Sequence, residues 1–250
     1  MKAGALAILI LSLLLPLAAR AHGGLADLSV YDRTEGRHLP VYWHQGRAYV
    51  VGRPGNEYQV VVRNRLREEA LAIVSVDGVN VVTGETADPR QSGYVLSAGS
   101  SYDILGWRKS LAQTAAFYFT ALPDSYAART GRPENVGVIG VAIFRKKREP
   151  QAIAPSAPEP RRGRSDAAGA AAPGEEARLG TGHGRREDSP VRQVAFERAT
   201  AQPAETITLY YDSYRNLVAQ GVIRPSQPPI APGPQPFPGA VSTFAPDPPG

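Results

Sequence analysis

The chain reads as an all-β protein: a β-sandwich, immunoglobulin-like in general architecture, with a C-terminal strand–strand–helix piece docked on it. Three observations predict this. Residues 58–82, YQVVVRNRLREEALAIVSVDGVNVV, read as three strands, with Asp77-Gly78 as a two-residue turn that supplies positive φ at both central positions. Residues 25–148 hold about eight short β-branched or aromatic runs between turn clusters, and hardly a helical period. There is no cysteine, so an exported chain of this kind must be held by a hydrophobic core rather than by a disulfide framework.

The elements follow in order. Residues 28–31 form a first strand. Residues 39–44 and 48–51 form a hairpin across Gln45-Gly46-Arg47, with Pro40 marking an edge. After the turn cluster at 52–56 comes the central stretch. Its turn sets the register: Val76 opposite Val79, Ser75 opposite Asn80, Val74 opposite Val81, Ile73 opposite Val82. Val74, Val76, Val79 and Val81 then share one face that must be buried. Residues 83–92 are a polar loop, and 93–96 and 102–105 are short strands. In 115–121 Phe117 and Phe119 alternate with Tyr118 and Thr120, the period of a half-buried strand. Pro123-Asp124-Ser125 caps a single helical turn, SYAAR, that ends at Gly131. Residues 136–144 (VGVIGVAIF) are apolar on both faces and belong mid-sheet.

At the N-terminus, Lys2, the apolar run 5–17 and Ala19-Arg20-Ala21 form a secretory signal peptide over residues 1–21, too short to span a bilayer. The folded domain is 22–148. Residues 149–178 are mainly Pro, Ala, Gly, Glu and Arg with almost no apolar side chain larger than Ala, the composition of a disordered linker or a large exposed loop. Residues 179–224 add strands at 191–198 and 206–211 and a helix behind Asp212 or Ser213, too little to fold alone. Residues 225–250 contain ten prolines and read as an extended tail. Removing 225–250 is expected to leave thermal stability unchanged, and a lowered midpoint would show that the tail packs.

The segments SVDGVNVVTGE, QSGYVL, GWRKS, DSYAARTGRPENVGVIGVAIF, LGTGHGRRE and YYDSYRNLVAQGVI together make the chain resemble a group of exported bacterial proteins of unknown function. The resemblance covers most of the mature chain apart from linker and tail. It implies one unit, a sandwich with a tethered C-terminal piece, and it implies no activity, cofactor or catalytic residue.

Formal charge is +5, from 28 basic and 23 acidic residues. Loss of Lys2 and Arg20 with the signal peptide leaves 26 against 23, too mild a balance to imply nucleic acid. No further stretch is long and apolar enough for a transmembrane segment. There is no G-x-S-x-G elbow, no H-E-x-x-H and no Cys nucleophile, and no pair of carboxylates is placed on one element as acid and base.

Three features remain as candidate sites. Trp107, Arg108 and Lys109 set an aromatic beside two cations, and with Arg129, Arg132 and Asn135 they form loops suited to a glycan, peptide or anionic headgroup. Alternatively, Trp107 plugs the sandwich while its neighbours face water. Residues 179–186, LGTGHGRR, either cradle a phosphate through backbone N–H groups or form a hinge, the latter favoured by the missing strand–loop–helix context. Cleavage after Ala21 would make His22 an N-terminal chelate for copper, with His38 or His44 as a second ligand. These readings lead to an exported, non-enzymatic binding or structural module of the bacterial cell envelope, periplasmic or secreted, whose partner is an envelope component or another protein. The alternative is a periplasmic copper-binding protein using His22.

Overall fold

The computed structural model describes residues 21–148 and 178–225. The expected signal peptide, linker and Pro-rich tail lie outside them, except for Ala21, Arg178 and Pro225. Two sheets make the sandwich. The first has eight strands: β1 (Ala21–His22), β2 (Ala26–Asp32), β3 (Arg37–His38), β6 (Glu57–Asn64), β10 (Ser101–Ile104), β11 (Gly106–Arg108), β12 (Gln113–Ala121) and β14 (Leu179–Asp188). The second has seven: β4 (Val41–His44), β5 (Arg47–Val51), β7 (Ala70–Val76), β8 (Val79–Asn80), β9 (Tyr94–Leu96), β13 (Val138–Arg145) and β15 (Glu205–Asp212). Two short helices, α1 (Tyr126–Arg129) and α2 (Tyr214–Ala219), are capped by the hydroxyls of Ser125 and Ser213.

Local chemistry accounts for the central hairpin. Asp77 and Gly78 sit at φ 53° and 71°, as the two-residue turn requires, and Val76 pairs with Val79 and Ser75 with Asn80. Val74, Val76, Val79 and Val81 are all buried. The pairing reaches one residue further, Val81 N donating to Val74 O at 3.1 Å, and there the Asn80 side chain takes over: Oδ1 accepts from Val82 N, and Nδ2 donates to Gln91 Oε1 and Ser92 O. Phe117 and Phe119 point inward from β12 and are fully buried. The apolar run at 136–144 becomes β13, flanked by β7 and β15. β10 and β11 fill the gap where β6 and β12 diverge, the first pairing with β6 and the second with β12.

The C-terminal residues are integral to both sheets. β14 pairs along nearly all of β12. β15 lies between β5 and β13, parallel to β5 and antiparallel to β13. Glu205, at the start of β15, ties the sheets together by accepting from the backbone N–H groups of Gly24, Leu25 and Ala26.

One expected strand is absent. Residues 191–198 are not a strand but a strap over the outer face of the second sheet. Phe196 packs on the cluster of Leu71, Ile73, Ala142 and Phe144, and the Arg198 guanidinium lies 4.4 Å from the Phe144 ring centroid. Its side chain donates to the carbonyls of Pro89, Arg90 and Gln91. Phe196 thus serves to cover a sheet rather than to extend one. Among the described residues, no helix is long and apolar enough to cross a membrane.

Candidate functional site

Residues 179–186 are neither a phosphate loop nor a hinge. They are the first eight of the ten residues of β14, laddered with β12, Gly180 opposite Thr120 and Gly182 opposite Tyr118, while the N–H groups of Leu179 and Thr181 donate to Asp212 and Asp77. The glycines are required by close approach. A Cβ on Gly180 would stand 2.6 Å from Ser125 Cβ and 2.8 Å from Val136 Cγ1, and one on Gly182 would stand 2.2 Å from Tyr118 Cζ. Ser125 Cβ moves only with its backbone. Gly180→Ala is therefore expected to cost about 1–3 kcal/mol, read as a lower urea midpoint, and an unchanged midpoint would refute the packing account.

This strand brings His183 to the surface between the two loops singled out in the sequence. The His183 ring stacks on Tyr126 of α1, with centroids 5.6 Å apart at 30°. Tyr126 in turn lies 4.6 Å from the Trp107 ring, and Trp107 packs edge-on against Phe117 at 5.1 Å. Partial burial lowers the His183 pKa, and the positive charges of Lys109, Arg186 and Arg129 lower it further. Lys109 follows β11, Arg186 lies on β14 and Arg129 ends α1. All three are exposed, and among the described residues none of their side chains has a hydrogen-bonding or ion-pair partner. Three cations thus converge on a half-buried imidazole with no compensating carboxylate paired to them. Repulsion of this kind is relieved by a bound anion.

The other sequence candidates have structural roles. Trp107 is buried, and its indole N–H donates to Gly182 O at 3.0 Å, so its ring plugs the sandwich and is closed to an external ligand. The Arg108 guanidinium donates to the Ser189 carbonyl and hydroxyl and to Tyr94 Oη, which fastens the segment after β14. Arg132 donates to Gly84 O and Thr130 Oγ1. Asn135 lies over the central turn, its Cβ in the space that a Cβ on Gly78 would need. Of the six, Lys109, Arg129 and Asn135 are exposed with no side-chain hydrogen-bond or ion-pair partner among the described residues.

The histidines proposed for copper are not brought together. His22 pairs with Asp27 and His38 with Tyr31 along the same edge of β2. Four residues of strand, about 13 Å, separate those positions. His44 lies in the other sheet, opposite Arg47. Among the described residues, no group of three or more His, Asp or Glu side chains is arranged to hold a metal ion.

A second polar cluster is sealed inside the sandwich. Tyr211 Oη donates to Asp77 Oδ1 at 2.6 Å, and Thr181 Oγ1 lies 2.6 Å from both Tyr211 Oη and Tyr58 Oη. Each hydroxyl has one hydrogen, so the chain of donors runs Tyr58, Thr181, Tyr211, Asp77. Asp77 also accepts from the backbone N–H groups of Gly137 and Thr181. Burial raises its pKa to about 6 against the pull of these donors. Burial, and then the Asp77 charge, hold both tyrosines well above their ordinary value. All four side chains are buried, so the cluster joins sheets and does not face a substrate.

The sequence reading held His183 and Arg186 within the candidate loop or hinge 179–186 and did not join them to Tyr126, Lys109 and Arg129. The alternation of Gly with larger residues in LGTGHGRR is one that a flexible loop shares with a strand packed too closely for side chains. Comparison with protein-family models, with curated proteins and with solved structures finds no match for this chain.

Proposed function

We propose that the chain is a non-enzymatic binding module of the bacterial cell envelope, exported to the periplasm or beyond, whose ligand is anionic. The observation that carries this reading is the convergence of Lys109, Arg129 and Arg186, without partners, around the His183–Tyr126 stack. The resemblance to exported bacterial proteins and the signal-peptide pattern support the location. The sealed Asp77 cluster favours a scaffold over a catalyst, because no substrate reaches its carboxyl.

Calorimetric titration with inorganic pyrophosphate tests the reading. Wild type is expected to bind, and a Lys109→Gln, Arg129→Gln, Arg186→Gln variant to lose at least tenfold in affinity with no loss of thermal stability. Equal affinity in both would overturn it. NMR titration supplies a second readout. Removing the three charges should move the His183 pKa upward, though not to its ordinary value, because burial is the larger cause. Bound anion should also move it upward, so affinity should rise as pH falls.

A further inference from the structure

Beside the cationic surface stands a fixed apolar tip. Ser110 Oγ accepts from the backbone N–H groups of Ala112 and Gln113, making a tight turn with Leu111 at its apex. Val191 N donates to Leu111 O at 2.8 Å, and Ser189 N to Ala112 O at 2.7 Å. Arg108 clamps Ser189 to the same turn. Leu111 is 54% exposed and Val191 37% exposed. Turn apices are ordinarily polar, yet here two branched apolar side chains are held out by a rigid frame. Lys109 begins this turn, exposed Arg192 follows Val191, and Arg186 and Arg129 lie at the His183 stack.

We propose that this end of the sandwich seats the protein on an anionic lipid bilayer, with Leu111 and Val191 entering the interface and Lys109, Arg129 and Arg186 meeting headgroup phosphates. The inference rests on the anion-binding reading above and names its ligand. Charge complementarity selects the occupant: a soluble anion would use the cations and leave the apolar tip in water, whereas a bilayer surface offers phosphate charge and an apolar layer within a few ångströms of each other. A single turn contributes little apolar area, so binding should be reversible and weakened by salt.

The full-length mature chain can be tested by co-sedimentation with vesicles of phosphatidylcholine, with and without phosphatidylglycerol. Because the protein has no cysteine, Leu111→Cys and, on the exposed outer face of the second sheet, Thr208→Cys each accept one polarity-sensitive fluorophore. Sedimentation is expected only with phosphatidylglycerol, with a blue shift at 111 and none at 208. Leu111→Asn should lower vesicle partitioning at least tenfold while leaving pyrophosphate affinity unchanged. Partitioning unaffected by Leu111→Asn, or a blue shift at 208 instead of 111, would overturn the proposal. Pyrophosphate binding without vesicle binding would refute the bilayer and leave the anion site standing. Absence of both would remove both.

Discussion

A chain ending at residue 178 should fail to fold cooperatively. That truncation removes β15 from between β5 and β13 and β14 from the full length of β12. The β4–β5 hairpin would lose its only connection to the second sheet among the described residues. Ile207, Leu209 and Tyr211 would vanish from the core, and the backbone donors of residues 24–26 would lose the Glu205 carboxylate. Burying each large apolar side chain contributes roughly 1.5–3 kcal/mol, and domains have only about 5–15 kcal/mol in hand. The expected result is loss of the near-ultraviolet dichroism and of a sigmoidal thermal transition. A truncated chain that still melts cooperatively would show that residues 22–148 form a self-sufficient sandwich.

Asp77→Ala should be the most damaging single substitution in the turn, by about 3–5 kcal/mol, because it leaves donors buried without an acceptor. Gly137 N–H, Thr181 N–H and the Tyr211 hydroxyl all point at the lost carboxylate. Asp77→Asn keeps the turn, since Asn tolerates positive φ, but its amide NH₂ must face one of those donors, so a smaller loss is expected. The pH dependence follows from the same burial. The folded chain binds a proton at Asp77 with a pKa of about 6, against 3.8 for an ordinary aspartate. Between about pH 4 and pH 6 the folded state therefore holds more protons than the unfolded state. The stability from Asp77 is fully present below pH 4 and is lost as pH rises through 6, by up to about 3 kcal/mol. Urea midpoints of wild type and of Asp77→Asn across pH 4 to 7 isolate this contribution. The difference between them should change with pH in that window, and a constant difference would show that Asp77 keeps an ordinary pKa when folded.

Several elements were legible in the sequence because they are decided within a few residues. Asp77-Gly78 specifies the turn, the turn specifies the register, and period two then assigns Val74, Val76, Val79 and Val81 to the core. The same holds for Phe117 and Phe119, and for the presence of caps at 123–125 and 212–213, where the structure selects the Ser125 and Ser213 hydroxyls, each reaching an N–H group three residues ahead. The six-residue site set fared differently. Trp107, Arg108 and Arg132 look like binding groups in isolation, but each is occupied by a partner far along the chain.

Tertiary structure alone decided the rest, and the reason lies in sequence separation. Glycine has no side chain to declare a strand, so β14 is fixed by its ladder with β12, where Tyr118, Ser125 and Val136 leave no room for a larger residue at Gly180 and Gly182. Asp77 finds its partners 60, 104 and 134 residues away, distances over which no local pattern extends. In a linear reading Lys109 and Arg129 belong to one candidate feature and Arg186 to another, with nothing to join them. They become a site because β14 pairs with β12 and carries His183 and Arg186 to the end of the sandwich that β11 and α1 already occupy. Propensity and turn chemistry determine strands one at a time, whereas the choice of which strands become neighbours is set by the burial that the whole chain achieves at once.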